Sequence, residues 1–131
     1  MTKPTENTTV YIIDDEPSVQ RALVRLMRAA GLGGTAFSSV DEFMSSKIDT
    51  HNACVVADVH MPGTSALELP ALLKRRGSAL PVIYVTARDT NETRARIHRA
   101  GAAGYFRKPV DDQALIDAIQ WAITNEPHQR C

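Results

Sequence analysis

The chain has 131 residues, 44% of them hydrophobic, and its 15 basic and 15 acidic side chains leave no formal net charge. That length predicts one domain, and neutrality gives no global argument for a nucleic-acid or anionic-membrane partner. No apolar run reaches the roughly 18–20 residues that a bilayer span needs, and the polar start, residues 1–8, lacks a signal-peptide apolar region, so a cytoplasmic location and no membrane partner are expected.

Strand and helix patterns alternate along the chain. Residues 1–8 read as a mobile tail. Residues 10–13, all apolar, form a first strand that runs into Asp14 and Asp15. Pro17 suits a first helical turn, and Val19, Ala22, Leu23, Leu26, Met27 and Ala30 recur at helical spacing up to a stop at Gly31. Residues 33–37 make a weak second strand. Ser39 and Glu42 have the spacing of a capping box for a short second helix, with Phe43 and Met44 as its apolar face. Residues 53–57 are apolar and lead into Asp58, a third strand. Leu67, Leu69, Leu72 and Leu73 mark a third helix closed near Gly77, and Pro70 inside that pattern predicts a kink or a delayed start.

Residues 82–85 form a fourth strand ending in Thr86. A mostly polar fourth helix covers about 91–100, with only Ala95, Ile97 and Ala100 to bury. Gly101 and Gly104 bracket the turn into a fifth strand, where Tyr105 and Phe106 lead through Arg107 to Lys108 and Pro109. A fifth helix runs over about 111–124 with Leu115, Ile116, Ile119, Ala122 and Ile123 inward. Residues 125–131 read as a tail or the start of a linker. Cys54, inside an apolar run, and Cys131, at the end, read as a buried thiol and a tail thiol. His51, His60, His98 and His128 lack metal-ligand spacing and read as surface histidines.

Five β-α units in succession predict an α/β fold, a doubly wound parallel sheet covered by helices on both faces. In such sheets ligands bind at the carboxyl ends of the strands, at a topological switch point. Asp14, Asp15, Asp58, Thr86 and Lys108 would then share one cleft. Three carboxylates suit a hard divalent cation, while the ammonium and the hydroxyl suit a phosphoryl oxygen.

Over about residues 9–124 the chain resembles the receiver domain of two-component response regulators. The resemblance rests on Asp14-Asp15, Asp58, Thr86 and Lys108-Pro109, each at a strand end and in order, and on the segments 58–63 and 101–109. Residues 37–43 look most like receivers of the nitrogen-fixation regulator type, which usually carry a carboxy-terminal helix-turn-helix domain. The resemblance implies flavodoxin-like topology with strand order 2-1-3-4-5 and five helices. It implies a phosphorylation switch rather than an enzyme with turnover, one that assists its own phosphoryl transfer and dephosphorylation. Asp58 would be the phosphoacceptor, taking a phosphoryl group from a sensor histidine kinase. Mg2+ would be held by Asp14, Asp15, Asp58 and the backbone carbonyl of His60. Lys108 and Thr86 would contact phosphoryl oxygens. Tyr105 matches the family's switch aromatic, moving with Thr86. A cis bond before Pro109 is implied as well.

His60 and Arg88, bulky residues two positions after Asp58 and Thr86, depart from the common pattern where relatives tune the rate. Ala66 stands where many relatives have Gly. No departure removes a required group, so competence for phosphorylation is expected. Partner contact is implied through the face of helix four, strand five and helix five, either with an output domain or partner protein or in a homodimer. Arg88, Arg94, Arg96, His98, Arg99 and Arg107 cluster there; a solvated basic face explains them equally well, and direct nucleic-acid binding is not expected.

Each site residue also has a plain structural role open to it. Asp14 or Asp15 suits a helix amino terminus, Asp58 a strand-end turn, Thr86 a cap, and Lys108 the solvent. Two other functions compete. A haloacid-dehalogenase-type phosphatase also uses an Asp nucleophile and magnesium, but it usually has a second Asp where His60 stands. A phosphorylation-independent interaction module on the same fold would be marked by loss of an acidic or Lys position, and none is lost.

Overall fold

The structure is a computed structural model that describes residues 8–124. Five parallel strands form one sheet in the order β2-β1-β3-β4-β5. They are β1 (Thr9–Ile13), β2 (Gly33–Phe37), β3 (Ala53–Asp58), β4 (Val82–Thr86) and β5 (Gly104–Arg107). The helices are α1 (Pro17–Ala29), α2 (Val40–Ser45), α3 (Leu69–Arg75), α4 (Asn91–Ala100) and α5 (Asp112–Thr124). This is the flavodoxin-like order expected above, with its switch point between β1 and β3.

Side chains alternate across the strands, so each strand feeds two cores. Tyr11, Ile13, Val55, Ala57, Val82 and Tyr84 pack with Phe43, Leu69, Leu73 and Ile97 from α2, α3 and α4. Val10, Ile12, Cys54, Val56, Ile83 and Val85 pack with Met27 of α1 and with Leu115, Ile116, Ile119, Ala122 and Ile123 of α5. β3, at the centre, is buried along its whole length. Its last residue, Asp58, is therefore carried to the carboxyl edge on a rigid base.

Local chemistry sets the helix ends. The Ser39 hydroxyl accepts from Glu42 N–H, and Glu42 accepts in return from Ser38 N–H, one residue earlier than a full capping box would use. Pro70 does not kink a helix. A 3-10 turn over Ala66–Glu68 precedes α3, which places Pro70 in the first turn, where its missing N–H costs nothing. Ala66 is buried, and its carbonyl accepts from the Tyr84 hydroxyl at 2.7 Å. Burial pushes the Tyr84 phenol up.

Three sequence expectations need correction. Ala95 is exposed; α4 turns Thr93, Ile97 and the half-buried Ala100 inward, an i, i+4, i+7 stripe that excludes position 95. Ala22 is exposed and only Met27 of α1 is fully buried. Thr8, assigned above to the amino-terminal tail, is buried: its carbonyl accepts from Gly33 N–H at 2.9 Å and its hydroxyl from Asn52 Nδ2 at 2.9 Å. The rest of that tail, the tail 125–131, His128 and Cys131 lie outside the described residues. Cys54 is a buried free thiol.

α4 buries two residues where α5 buries five. One buried Ile contributes about 1.5–3 kcal/mol, so α4 is held far more lightly than α5. Among the described residues no helix is long and apolar enough to cross a membrane.

Candidate functional site

The carboxyl edge gathers the strand-end residues. β1 and β3 are neighbours, with Ile13 opposite Ala57, so Asp14 and Asp58 emerge side by side. β4 and β5 bring Thr86 opposite Arg107, one residue before Lys108. Carboxylate oxygens of Asp14, Asp15 and Asp58 all lie within 4.8 Å of one another. Asp14 and Asp58 are buried and Asp15 is exposed.

Lys108 ties the two buried carboxylates together. Its Nζ lies 3.1 Å from Asp14 Oδ2 and 3.5 Å from Asp58 Oδ2. The remaining oxygens are held by backbone: Asp14 Oδ1 accepts from Glu16 N–H at 2.9 Å, and Asp58 Oδ1 from His60 N–H at 3.2 Å. Burial raises the Asp58 carboxyl above its usual range, against the opposing pull of Lys108 and of the His60 N–H; Asp14's charge raises it further. Burial alone would lower Lys108, but its hydrogen bond to Asp14 and the charges of Asp58 and Asp14 outweigh that and hold it up. Three carboxylates against one ammonium leave an excess of two negative charges. An all-oxygen donor set with that excess fits a hard divalent cation.

Thr86 is fully buried, and its hydroxyl is turned to the loop after β4. It donates to the Arg88 carbonyl at 3.2 Å and accepts from Arg88 N–H at 3.0 Å. The Arg88 and His60 side chains are exposed beside the site. Tyr105 on β5 is half-buried against the α2, α3 and α4 core. Its hydroxyl donates to Asp89, whose Oδ1 also pairs with Arg94 Nε at 3.2 Å. The Lys108–Pro109 peptide is cis. Arg96, Arg99, Arg107 and His98 are exposed, as are His51 and His60.

Sequence reasoning missed Asp89 and Gln20. Gln20 sits among polar residues of α1 and looks like a solvent-facing side chain, yet its amide reaches the ends of both β1 and β2. Nothing local in the sequence marks either residue.

The model of the response regulator receiver domain matches residues 10–120. The chain belongs to that family. It is a receiver domain of two-component response regulators, a signalling domain that works through phosphorylation. The transcriptional regulatory protein TdiR of Thauera aromatica is 34% identical over 122 residues, covering 93% of this chain and 54% of TdiR. FixJ of Azorhizobium caulinodans is 33% identical over 124 residues, covering 95% of this chain and 59% of FixJ. The chain thus spans little more than half the length of these relatives. A crystal structure of FixJ-N superposes with a TM-score of 0.82 at 28% identity, covering 92% of this chain and 96% of that one. The response regulator StyR superposes at 0.83 with 32% identity, covering 95% and 63%. The resemblance to nitrogen-fixation-type receivers is met by these matches. Neither the phosphatase nor the phosphorylation-independent module is favoured beside them.

Proposed function

We propose that this receiver accepts a phosphoryl group on Asp58 from the phosphohistidine of a sensor kinase. The observation that carries the reading is Lys108 Nζ placed between Asp14 and Asp58, with the exposed Asp15 carboxylate within reach of both. Asp58 attacks phosphorus through Oδ2, the oxygen not held by His60 N–H. The acyl-phosphate bond forms as the P–N bond breaks, and the electron pair leaves with the imidazole. Transfer of this kind depends on positioning and charge neutralisation. Asp14, Asp15, Asp58 and the His60 carbonyl would hold Mg2+, which when bound neutralises the phosphoryl oxygens and orients them. Lys108 supplies a point charge to one phosphoryl oxygen. Thr86 donates to another, and to do so it must give up the Arg88 carbonyl. His60 and Arg88 flank the acyl phosphate and set how water reaches it.

The output follows from the same displacement. As Thr86 turns inward, the loop after β4 shifts and Tyr105 rotates into the space behind β4. The face made by α4, β5 and α5 changes shape, and with it the choice of an output domain, a partner protein or a second copy. The light anchoring of α4 suits that role. Residues 9–124, with Thr8 bonded to them, make up the receiver unit, and the cytoplasm is its place of action.

The test is labelling by acetyl phosphate with Mg2+, read by intact mass. One phosphoryl group per chain is expected, and none in Asp58→Asn. Undiminished label in Asp58→Asn refutes the acceptor. Continuous phosphate release without a labelled chain points instead to a phosphatase.

A further inference from the structure

We propose that Gln20 is a positioning residue for the acidic cluster, one that aims the exposed carboxylate of Asp15. The inference rests on the reading of Asp14, Asp15 and Asp58 as a Mg2+ site.

Gln20 lies one turn into α1, with its backbone N–H bonded to the Glu16 carbonyl at 3.0 Å. Its side-chain Nε2 reaches the Asp14 carbonyl at 2.6 Å, the Phe37 carbonyl at 3.3 Å and Ser38 Oγ at 3.3 Å. Two of these partners are carbonyl oxygens, which only accept, so the group that faces them is the amide's NH2. One side chain thereby staples the end of β1 to the end of β2.

What this does for the site follows from what else holds residues 14 and 15. The Asp14 side chain is fixed without Gln20, by Glu16 N–H and by Lys108. The Asp14 N–H is fixed by the Phe37 carbonyl at 3.1 Å. The Asp14 carbonyl is one half of the peptide that leads into Asp15, and Gln20 is the donor that holds it. Among the described residues the Asp15 carboxylate has no hydrogen bond or ion pair. Its direction is therefore set by backbone alone. The bond from Glu16 N–H to Asp14 Oδ1 constrains the peptide after Asp15, and Gln20 constrains the peptide before it. Without Gln20 the 14–15 peptide loses the donor that holds its carbonyl, and the aim of the third carboxylate of the cluster loosens.

A group that orients a ligand from behind commonly changes metal affinity by about 10–100-fold when removed. Gln20→Met keeps the length and helix propensity and deletes the donors. Gln20→Glu keeps the shape and presents a carboxylate that cannot donate to the three acceptors. The measurement is Mg2+ affinity by calorimetry on the whole chain, repeated with Asp15→Asn as background. Both variants are expected to bind Mg2+ about tenfold more weakly, with acetyl-phosphate labelling restored at saturating Mg2+. In the Asp15→Asn background the added loss should vanish, because there is no longer an Asp15 carboxylate to aim. Mg2+ affinity unchanged in both Gln20 variants overturns the proposal alone. So does a loss of equal size with and without Asp15, which would make Gln20 a general staple of β1 and β2. A wild-type chain that binds no Mg2+ overturns the underlying metal reading and the proposal with it.

Discussion

The hydroxyl of Tyr105 on β5 donates to the carboxylate of Asp89 in the loop after β4. That loop begins at Thr86, whose hydroxyl is bonded twice to the Arg88 backbone. The same Asp89 oxygen holds Arg94 of α4. A single run of contacts thus joins the buried hydroxyl at the carboxyl edge to the aromatic ring and helix of the proposed output face.

This run predicts that Asp89 holds Tyr105 in its present rotamer. A hydrogen bond to a charged acceptor is worth about 1.5–3 kcal/mol when buried; in this half-exposed setting about 1 kcal/mol, a roughly fivefold change in population, is expected. Asp89→Ala should shift Tyr105 toward the inward rotamer without phosphorylation, as seen in ring NMR signals. Desolvation raises the Tyr105 phenol first, and the hydrogen bond and charge of Asp89 raise it further. Its titration should therefore move to lower pH in Asp89→Ala. Ring signals and titration identical to wild type would remove Asp89 from the switch.

A second expectation concerns the charge on Asp58. Burial raises the Asp58 carboxyl in the fold above its unfolded value of 3.8. Between the two values the folded chain binds more protons than the unfolded one, so this group's contribution to stability falls as pH rises through the folded value. Above that value the ionised carboxylate costs stability, and at lower pH the cost is relieved. Asp58→Asn should accordingly raise the melting temperature of the metal-free domain at neutral pH, and the gain should shrink as pH falls toward 4. Thermal melts of both forms across that range test it; a destabilised Asp58→Asn at neutral pH is the contrary result.

The cluster was legible in the sequence because topology alone fixes it. Asp14, Asp58, Thr86 and Lys108 each end an apolar run, and parallel strands bring such ends to one edge. Asp89 was not legible, because its role depends on the rotamer of Tyr105 and on how the loop turns after Thr86. Gln20 was hidden for a related reason: helical spacing places it between faces, and only the position of the β2 end decides that its amide turns inward. The Ala95 error has a simpler cause. Residue type alone suggests the core for this alanine, while the stripe of α4 is set by its phase and takes Thr93 instead.

Metal binding should show directly in stability. A ligand that binds only the folded state at ten times its Kd adds about 1.4 kcal/mol, or about 5 °C in a domain of this size. Mg2+ should raise the melting temperature on that scale, and Asp15→Asn should lose most of the response. A wild-type melting temperature indifferent to millimolar Mg2+ would count against the site.

The last prediction separates the structural role of Lys108 from its chemical one. Lys108 is the counter-charge of two carboxylates, one of them fully buried. Lys108→Met keeps the apolar stem and removes the ammonium, leaving Asp14 and Asp58 to face each other. Removing one partner of a buried ion pair costs about 3–5 kcal/mol, and a smaller loss is expected here because Lys108 keeps 23% of its side chain exposed. The loss should be largest in metal-free protein at neutral pH. It should shrink on addition of Mg2+, which replaces the missing positive charge, and shrink again as pH falls and Asp58 takes up a proton. Labelling by acetyl phosphate should fall at every Mg2+ concentration, because the metal restores the charge balance but not the contact to the phosphoryl oxygen. Chemical melts with and without Mg2+, run beside mass-detected labelling, resolve the two. Full labelling in Lys108→Met at saturating Mg2+ would confine Lys108 to holding the cluster together.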